Sequence, residues 1–184
     1  KKEDLFELWQ DCESLAIATP NLGYLTDPIC CPGGDYCALA NAKSIPIAEA
    51  VQRKFDDLDY LYDLGPIDLN ISGCMNACGH HHVGHIGILG VDKKGKEFYQ
   101  ISLGGNMSRE ASIGKILGPS FSSEEIPEVI QKILDVYVNK RTDEELFIDN
   151  RDYLLANGPV IDTDLIIIDK LTGDLNIADI SDNF

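Results

Sequence analysis

Apolar residues recur along the chain in two periods, one near 3.6 and one of two, and the alternation between them outlines the elements. Leu5, Leu8 and Trp9 share a helical face within Asp4 to Leu15, which predicts a short amphipathic helix packed as an edge element. Pro20, Gly23 and Pro28 then break regularity and lead into a loop at residues 30–37. A helix or kinked helix pair follows: Ala38 to Ala42 can begin it, Ser44 and Pro46 mark a restart, and Ile47, Val51 and Phe55 continue one stripe. Ile67 to Ile71 alternates apolar and polar residues as a half-buried strand does.

His85 to Val91 and Glu97 to Leu103 are strand-like runs either side of Asp92-Lys93-Lys94-Gly95-Lys96, a turn sequence, so a β-hairpin is expected. Ser122 with Glu125 forms a capping-box pattern ahead of the stripe Ile126, Val129, Ile130, Ile133, Leu134 and Tyr137. Thr142 with Glu145 repeats that pattern and predicts a helix to about Leu155, stopped by Asn157-Gly158-Pro159. Leu165 to Ile168 and the Thr172-Gly173 turn suggest a small hairpin in the tail. The expected class is α+β, close to α/β, with a mixed sheet that includes the hairpin and is covered by helices on at least one face. Three parts are expected: an N-terminal helix and connector over 1–24, a main domain over 25–157 and a tail over 158–184.

Composition narrows the partners. The 184 residues suffice for one core without a disulfide scaffold, and no apolar run reaches the ~20 residues that span a bilayer. Thirty-one acidic against fifteen basic residues give a formal charge of −16, which repels nucleic acid and anionic lipid alike. Neither nucleic acid nor membrane is an expected partner. The first residues, Lys1 to Leu5, hold no initiator Met and no signal-peptide core, which suggests an internal boundary and a cytoplasmic location.

The six cysteines change the picture most, since without an export signal they argue for metal or redox use. Cys31-x5-Cys37 and Cys74-x3-Cys78 are two close pairs far apart in sequence, a pattern suited to a [4Fe–4S] cube held from two loops. Pro32, Gly33, Gly34, Gly73, Ala77 and Gly79 leave room for backbone amides to point at sulfur. Zinc is the rival metal, although its loops usually space cysteines by two to four residues. Cys12 reads as a plain core residue, and Cys30 as a bystander or a ligand in a slipped register. Asn76 either turns the second loop or donates to a cofactor. Gly104-Gly105-Asn106 is a loop that a ligand could approach closely, and Arg109 after it is a candidate for an anionic cofactor group. His80, His81, His82 and His85 titrate near neutrality, so metal binding or proton transfer stands beside simple packing.

Cys31-Pro32-Gly33-Gly34-Asp35-Tyr36-Cys37 and Gly73-Cys74-Met75-Asn76-Ala77-Cys78-Gly79 resemble the paired cluster motif of the sulfite and nitrite reductase family. Leu103-Gly104-Gly105-Asn106 resembles its glycine-rich segment near sirohaem, and the likeness runs over about residues 25 to 157. The resemblance implies that Cys31, Cys37, Cys74 and Cys78 ligate one [4Fe–4S] cluster, with the Cys78 thiolate also reaching the sirohaem iron. It implies an oxidoreductase that takes electrons from a flavoprotein or ferredoxin and reduces a small inorganic anion, sulfite in preference to nitrite, by six electrons. Asn76, Gly105, Asn106 and Arg109 would lie along the cofactor.

Two departures qualify the likeness. Histidines at 80–82 occupy a stretch where other branches carry a basic residue. Family members are also several times longer and place most substrate-binding Arg and Lys upstream. The expectation is therefore a part of an enzyme, inactive alone, whose upstream half is missing and of which residues 1–24 are a remnant. A non-catalytic metal-binding or electron-relay module is the alternative from a different class.

Overall fold

In a computed structural model, residues 1–142 and 145–157 are described. A five-stranded sheet runs in the order β1 (Ile29–Cys30), β2 (Leu69–Ser72), β3 (Ile86–Lys93), β4 (Lys96–Leu103), β5 (Lys115–Phe121). The first two pairings are parallel and the last two antiparallel, so the sheet is mixed, as expected. The hairpin β3–β4 turns at Lys94 and Gly95, both with positive φ, the conformation a tight hairpin needs.

The two faces of this sheet differ in chemistry. On one face Ile71, Ile88 and Ile101 form a cross-strand row, with Leu69, Ile86 and Leu103 as the next, and all six are fully buried. The cross-strand rows of the other face are Asn70, Gly87 and Ser102, then Ser72, Leu89 and Gln100. A strand-like alternation was expected at 67–71, and the parallel pairing on both sides of β2 buries even its polar residues.

Helix α1 (Leu5–Ser14) precedes the sheet, and α2 (Ile45–Lys54) and α3 (Leu58–Leu64) fill the connection between β1 and β2. After β5 come α4 (Ile126–Lys140) and α5 (Arg151–Asn157); α4 packs on α2 and α5, and α5 on β4. The α4 stripe from Ile126 to Tyr137 is buried as its period requires. Each fully buried aliphatic side chain there contributes ~1.5–3 kcal/mol. Ser122 receives no helix directly; its N–H and hydroxyl both donate to Glu125 Oε2, at 2.7 and 2.8 Å, and α4 starts one residue later.

Several expectations are corrected. No residue of α1 is buried, so its apolar face is exposed and it does not pack as an edge element; Cys12 on it is only half-buried. Residues 38–42 are irregular, and α2 begins only after Ser44. The loop at 30–37 includes one short parallel bridge and a 3-10 turn, Gly33–Asp35. The helix foreseen to about Leu155 is split into a 3-10 turn at Phe147–Asn150 and then α5. Thr142 N–H does donate to Glu145 Oε2 at 2.9 Å. The tail hairpin lies outside the described residues.

Candidate metal centre

Cys31 to Cys37 leaves the C-terminal end of β1, and Cys74 to Cys78 leaves the C-terminal end of β2, its neighbour in the sheet. Adjacent parallel strands thus deliver both loops to one end of the sheet, the end at which open α/β sheets bind ligands. Main-chain bonds stitch the loops together. Gly73 N–H donates to Cys31 Sγ at 3.1 Å, Cys31 N–H to Ile71 O at 3.0 Å, and Asn41 and Ala42 N–H both to Gly73 O, at 2.8 and 3.0 Å.

Glycine makes this contact possible. A Cβ on Gly33, whose φ is +63°, would lie 2.3 Å from Ser44 N, and one on Gly90 would lie 2.9 Å from Gly73 O. Ser44, expected as a helix restart, has no capping bond; its hydroxyl lies 3.4 Å from Cys31 Sγ instead. The sequence does not connect either Ser44 or Gly90 with the cysteines, since nothing in their spacing ties them to that loop.

Cys31 and Cys37 are half-buried, Cys74 is buried and Cys78 is exposed. Cys78 is bracketed by Ala77 and His80, two non-glycine residues with φ of +57° and +52°, a conformation that costs energy and marks a loop held by its surroundings. Cys30 behaves differently from its neighbour. Its thiol donates to Cys31 O at 3.2 Å, and burial, reinforced by Cys31, pushes its pKa up to about 11. That makes Cys30 a poor source of thiolate.

The turn after Cys78 seals the polar face of the sheet. Asn70 Nδ2 donates to His80 O at 3.0 Å, Gly114 N–H to His82 O at 2.8 Å, and a Cβ on Gly87 would meet His81 O. Asn70 Oδ1, His81 Nδ1 and Ser102 Oγ are buried there without a protein partner. Burial first, then neighbouring His82, lowers the His81 pKa to about 4, so the ring is neutral at pH 7. His85 stands apart at the start of β3, half-buried, where it accepts from Asp68 N–H at 3.2 Å and lies 3.6 Å from the Asp68 carboxylate.

The glycine loop comes to the same place. Gly105 packs against Val83 and Gly84, and Asn106 pairs with Ser112 while its Oδ1 accepts Ser108 N–H at 2.8 Å. Gly105 and Asn106 are therefore beside the histidine turn, whereas Arg109 projects at the exposed tip of the 106–112 loop. Asn76 is exposed at the turn between Cys74 and Cys78. Next to the cysteines in sequence, Tyr36, Leu39 and Met75 are 79%, 73% and 83% exposed.

Among the described residues no three His, Cys, Asp or Glu side chains are grouped to hold a metal ion. A cube asks for something else, since its four thiolates each serve a different iron and stand farther apart than the ligands of one ion. Four thiols on two stitched loops, with glycines that admit amides and an N–H already on sulfur, fit such a group.

Residues 24–146 match the model of the nitrite and sulphite reductase 4Fe-4S domain. The chain belongs to that family. It is 26% identical over 151 residues to sulfite reductase [ferredoxin] 1 of Mycolicibacterium paratuberculosis, an alignment covering 77% of this chain and 27% of that protein. With the assimilatory-type sulfite reductase of Nitratidesulfovibrio vulgaris it shares 28% over 107 residues, 58% of this chain and 46% of the relative. With the ferredoxin–nitrite reductase of Synechococcus elongatus it shares 29% over 114 residues, 58% of this chain and 21% of the relative. In three dimensions it resembles the Mycobacterium tuberculosis NirA protein, with a TM-score of 0.67 at 25% identity over 80% of this chain and 29% of that one. The chain thus spans about a quarter of the length of the first of these reductases. Among the described residues no helix is long and apolar enough to cross a membrane.

Proposed function

We propose that this chain is the iron–sulfur part of a sirohaem-dependent sulfite reductase. Cys31, Cys37, Cys74 and Cys78 hold one [4Fe–4S] cluster, and the exposed Cys78 thiolate also reaches the sirohaem iron. The observation that carries the reading is the Gly73 N–H on Cys31 Sγ at 3.1 Å, which joins the two cysteine loops across 42 residues of sequence. When bound, the two cofactors supply the electron storage and bond-breaking of a six-electron reduction.

The chain's own residues bind and orient. Gly73 aims its N–H at sulfur and so tunes the potential, while the glycines around it let the loops approach closely. Asn76, Gly105 and Asn106 line the approach from the Cys78 side, and Arg109 meets an anionic cofactor edge. The exposed side chains of Tyr36, Leu39 and Met75 exclude water once covered. Residues 25–157 form the cluster-binding part; residues 1–24, with the exposed apolar face of α1, belong with the upstream half that supplies the cations for a small anion. The donor is a ferredoxin or a flavoprotein, and the setting is cytoplasmic. Sulfite is preferred because Asp35-Tyr36-Cys37 and His80-His81-His82 resemble the assimilatory sulfite reductase branch; nitrite is the alternative substrate.

The test is iron and acid-labile sulfide content, with an optical spectrum, on the chain reconstituted without oxygen, beside Cys78→Ser. Iron and sulfide in equal amounts at one cube per chain, diminished in the variant, support the reading. Stoichiometric zinc, or a metal content indifferent to Cys78, points to a structural or relay module.

A further inference from the structure

A pair of opposite charges stands beside the first cysteine loop. Lys43 Nζ lies 2.9 Å from Asp35 Oδ1. Asp35 ends the 3-10 turn two residues before Cys37, and Cys37 N–H donates back into that turn at Gly33 O, 2.9 Å. Lys43 precedes Ser44, whose hydroxyl is the one beside Cys31 Sγ. The pair therefore joins the turn before Cys37 to the segment whose next residue lies beside Cys31.

Its position does not depend on two long side chains alone. Tyr99, 1% exposed on the core face of β4, donates its hydroxyl proton to Lys43 O at 2.8 Å, with Glu97 Oε2 at 3.2 Å. Glu97 Oε2 in turn accepts Lys43 N–H at 3.3 Å. Two residues back, Asn41 and Ala42 donate to Gly73 O, and Ala42 O accepts Gly34 N–H at 2.9 Å. Strand β4 thus grips Lys43 by its main chain, in the same segment that ties one cysteine loop to the other.

We propose that the Asp35–Lys43 ion pair balances charge beside the cluster, while Tyr99 and Glu97 anchor the Lys43 main chain in the segment that ties the cysteine loops together. The proposal rests on the cluster reading above. An ion pair this exposed adds little to stability, so its effect belongs to the potential. Reduction adds negative charge to the cluster, which an ammonium nearby favours and a carboxylate opposes. Removing one partner at a time must therefore move the potential in opposite directions, which general loosening of a loop would not do.

The experiment is a redox titration, followed by electron paramagnetic resonance, of the full chain reconstituted with iron and sulfide. Asp35→Asn should raise the midpoint potential and Lys43→Met should lower it, while Lys54→Met, which breaks a pair with Glu128 on the helical side, should leave it in place. In parallel, amide exchange at Gly34, Asn41 and Ala42 should quicken about tenfold in Tyr99→Phe, through loss of the anchoring bond. Shifts of the same sign, or none, overturn charge balancing; unchanged exchange overturns the anchoring. If the unaltered chain forms no cluster, the cluster reading falls and takes charge balancing with it, and the exchange rates still decide the anchoring.

Discussion

A Cβ on Gly73 would lie 2.6 Å from Ala42 O and 3.0 Å from Gly33 Cα, main chain that cannot swing aside, and 2.9 Å from the Ser44 hydroxyl. Gly73→Ala should therefore cost about 1–3 kcal/mol of stability, read as a lower urea midpoint, and weaken metal uptake by parting the two loops. The glycines beside the cysteines were legible in the sequence as a composition suited to close approach. Which glycine meets which neighbour was not, because Gly33 and Gly73 are far apart along the chain. The burial of the Cys30 thiol, which raises its pKa to about 11, was likewise not legible, since Cys30 and Cys31 are neighbours with the same local pattern.

The elements follow local rules where those rules act alone. Asp57 caps α3, accepting from Asp59 and Tyr60 N–H at 3.0 and 3.3 Å, so Asp57→Ala should destabilise the fold by ~1 kcal/mol, measurable by thermal or urea unfolding. Helix α3 itself escaped the sequence reading, being only seven residues long, too short for a clear period. Strand β5 escaped for another reason. It contains Gly118 and Pro119, residues that argue against a strand interior, and is tolerated as an edge strand with a register shift opposite Gln100 and Ser102. Helix α1 shows the converse: its amphipathic period is real, and its apolar face finds no cover among the described residues.

At the scale of the molecule, acid should loosen the fold before its carboxylates titrate. His81 has a folded pKa of about 4 against an ordinary 6.5, and burial lowers His85 too, although Asp68 pulls the other way. A lowered pKa in the folded state means that the neutral ring is the native one. The contribution is complete above pH 6.5 and is lost as pH falls toward the folded value. The unfolding free energy from urea titration should decline between pH 7 and 5.5 by about 1 kcal/mol, since solvent reaches part of the ring, and His81→Gln should flatten that decline.

Sequence alone determined the features that depend on near neighbours: the α4 stripe, the Lys94-Gly95 turn, and two cysteine pairs set among small residues. These are written within a few positions of one another, where period, φ preference and side-chain size act directly. Only the tertiary structure decided that the two cysteine loops meet. That depends on β1 and β2 lying side by side and parallel, with α2 and α3 carried in the connection between them. It also decided that one sheet face is apolar and the other polar, and that Tyr99, Glu97 and Lys43 converge on the cysteine loop. Such contacts join residues tens of positions apart, and no local pattern records a distance of that kind.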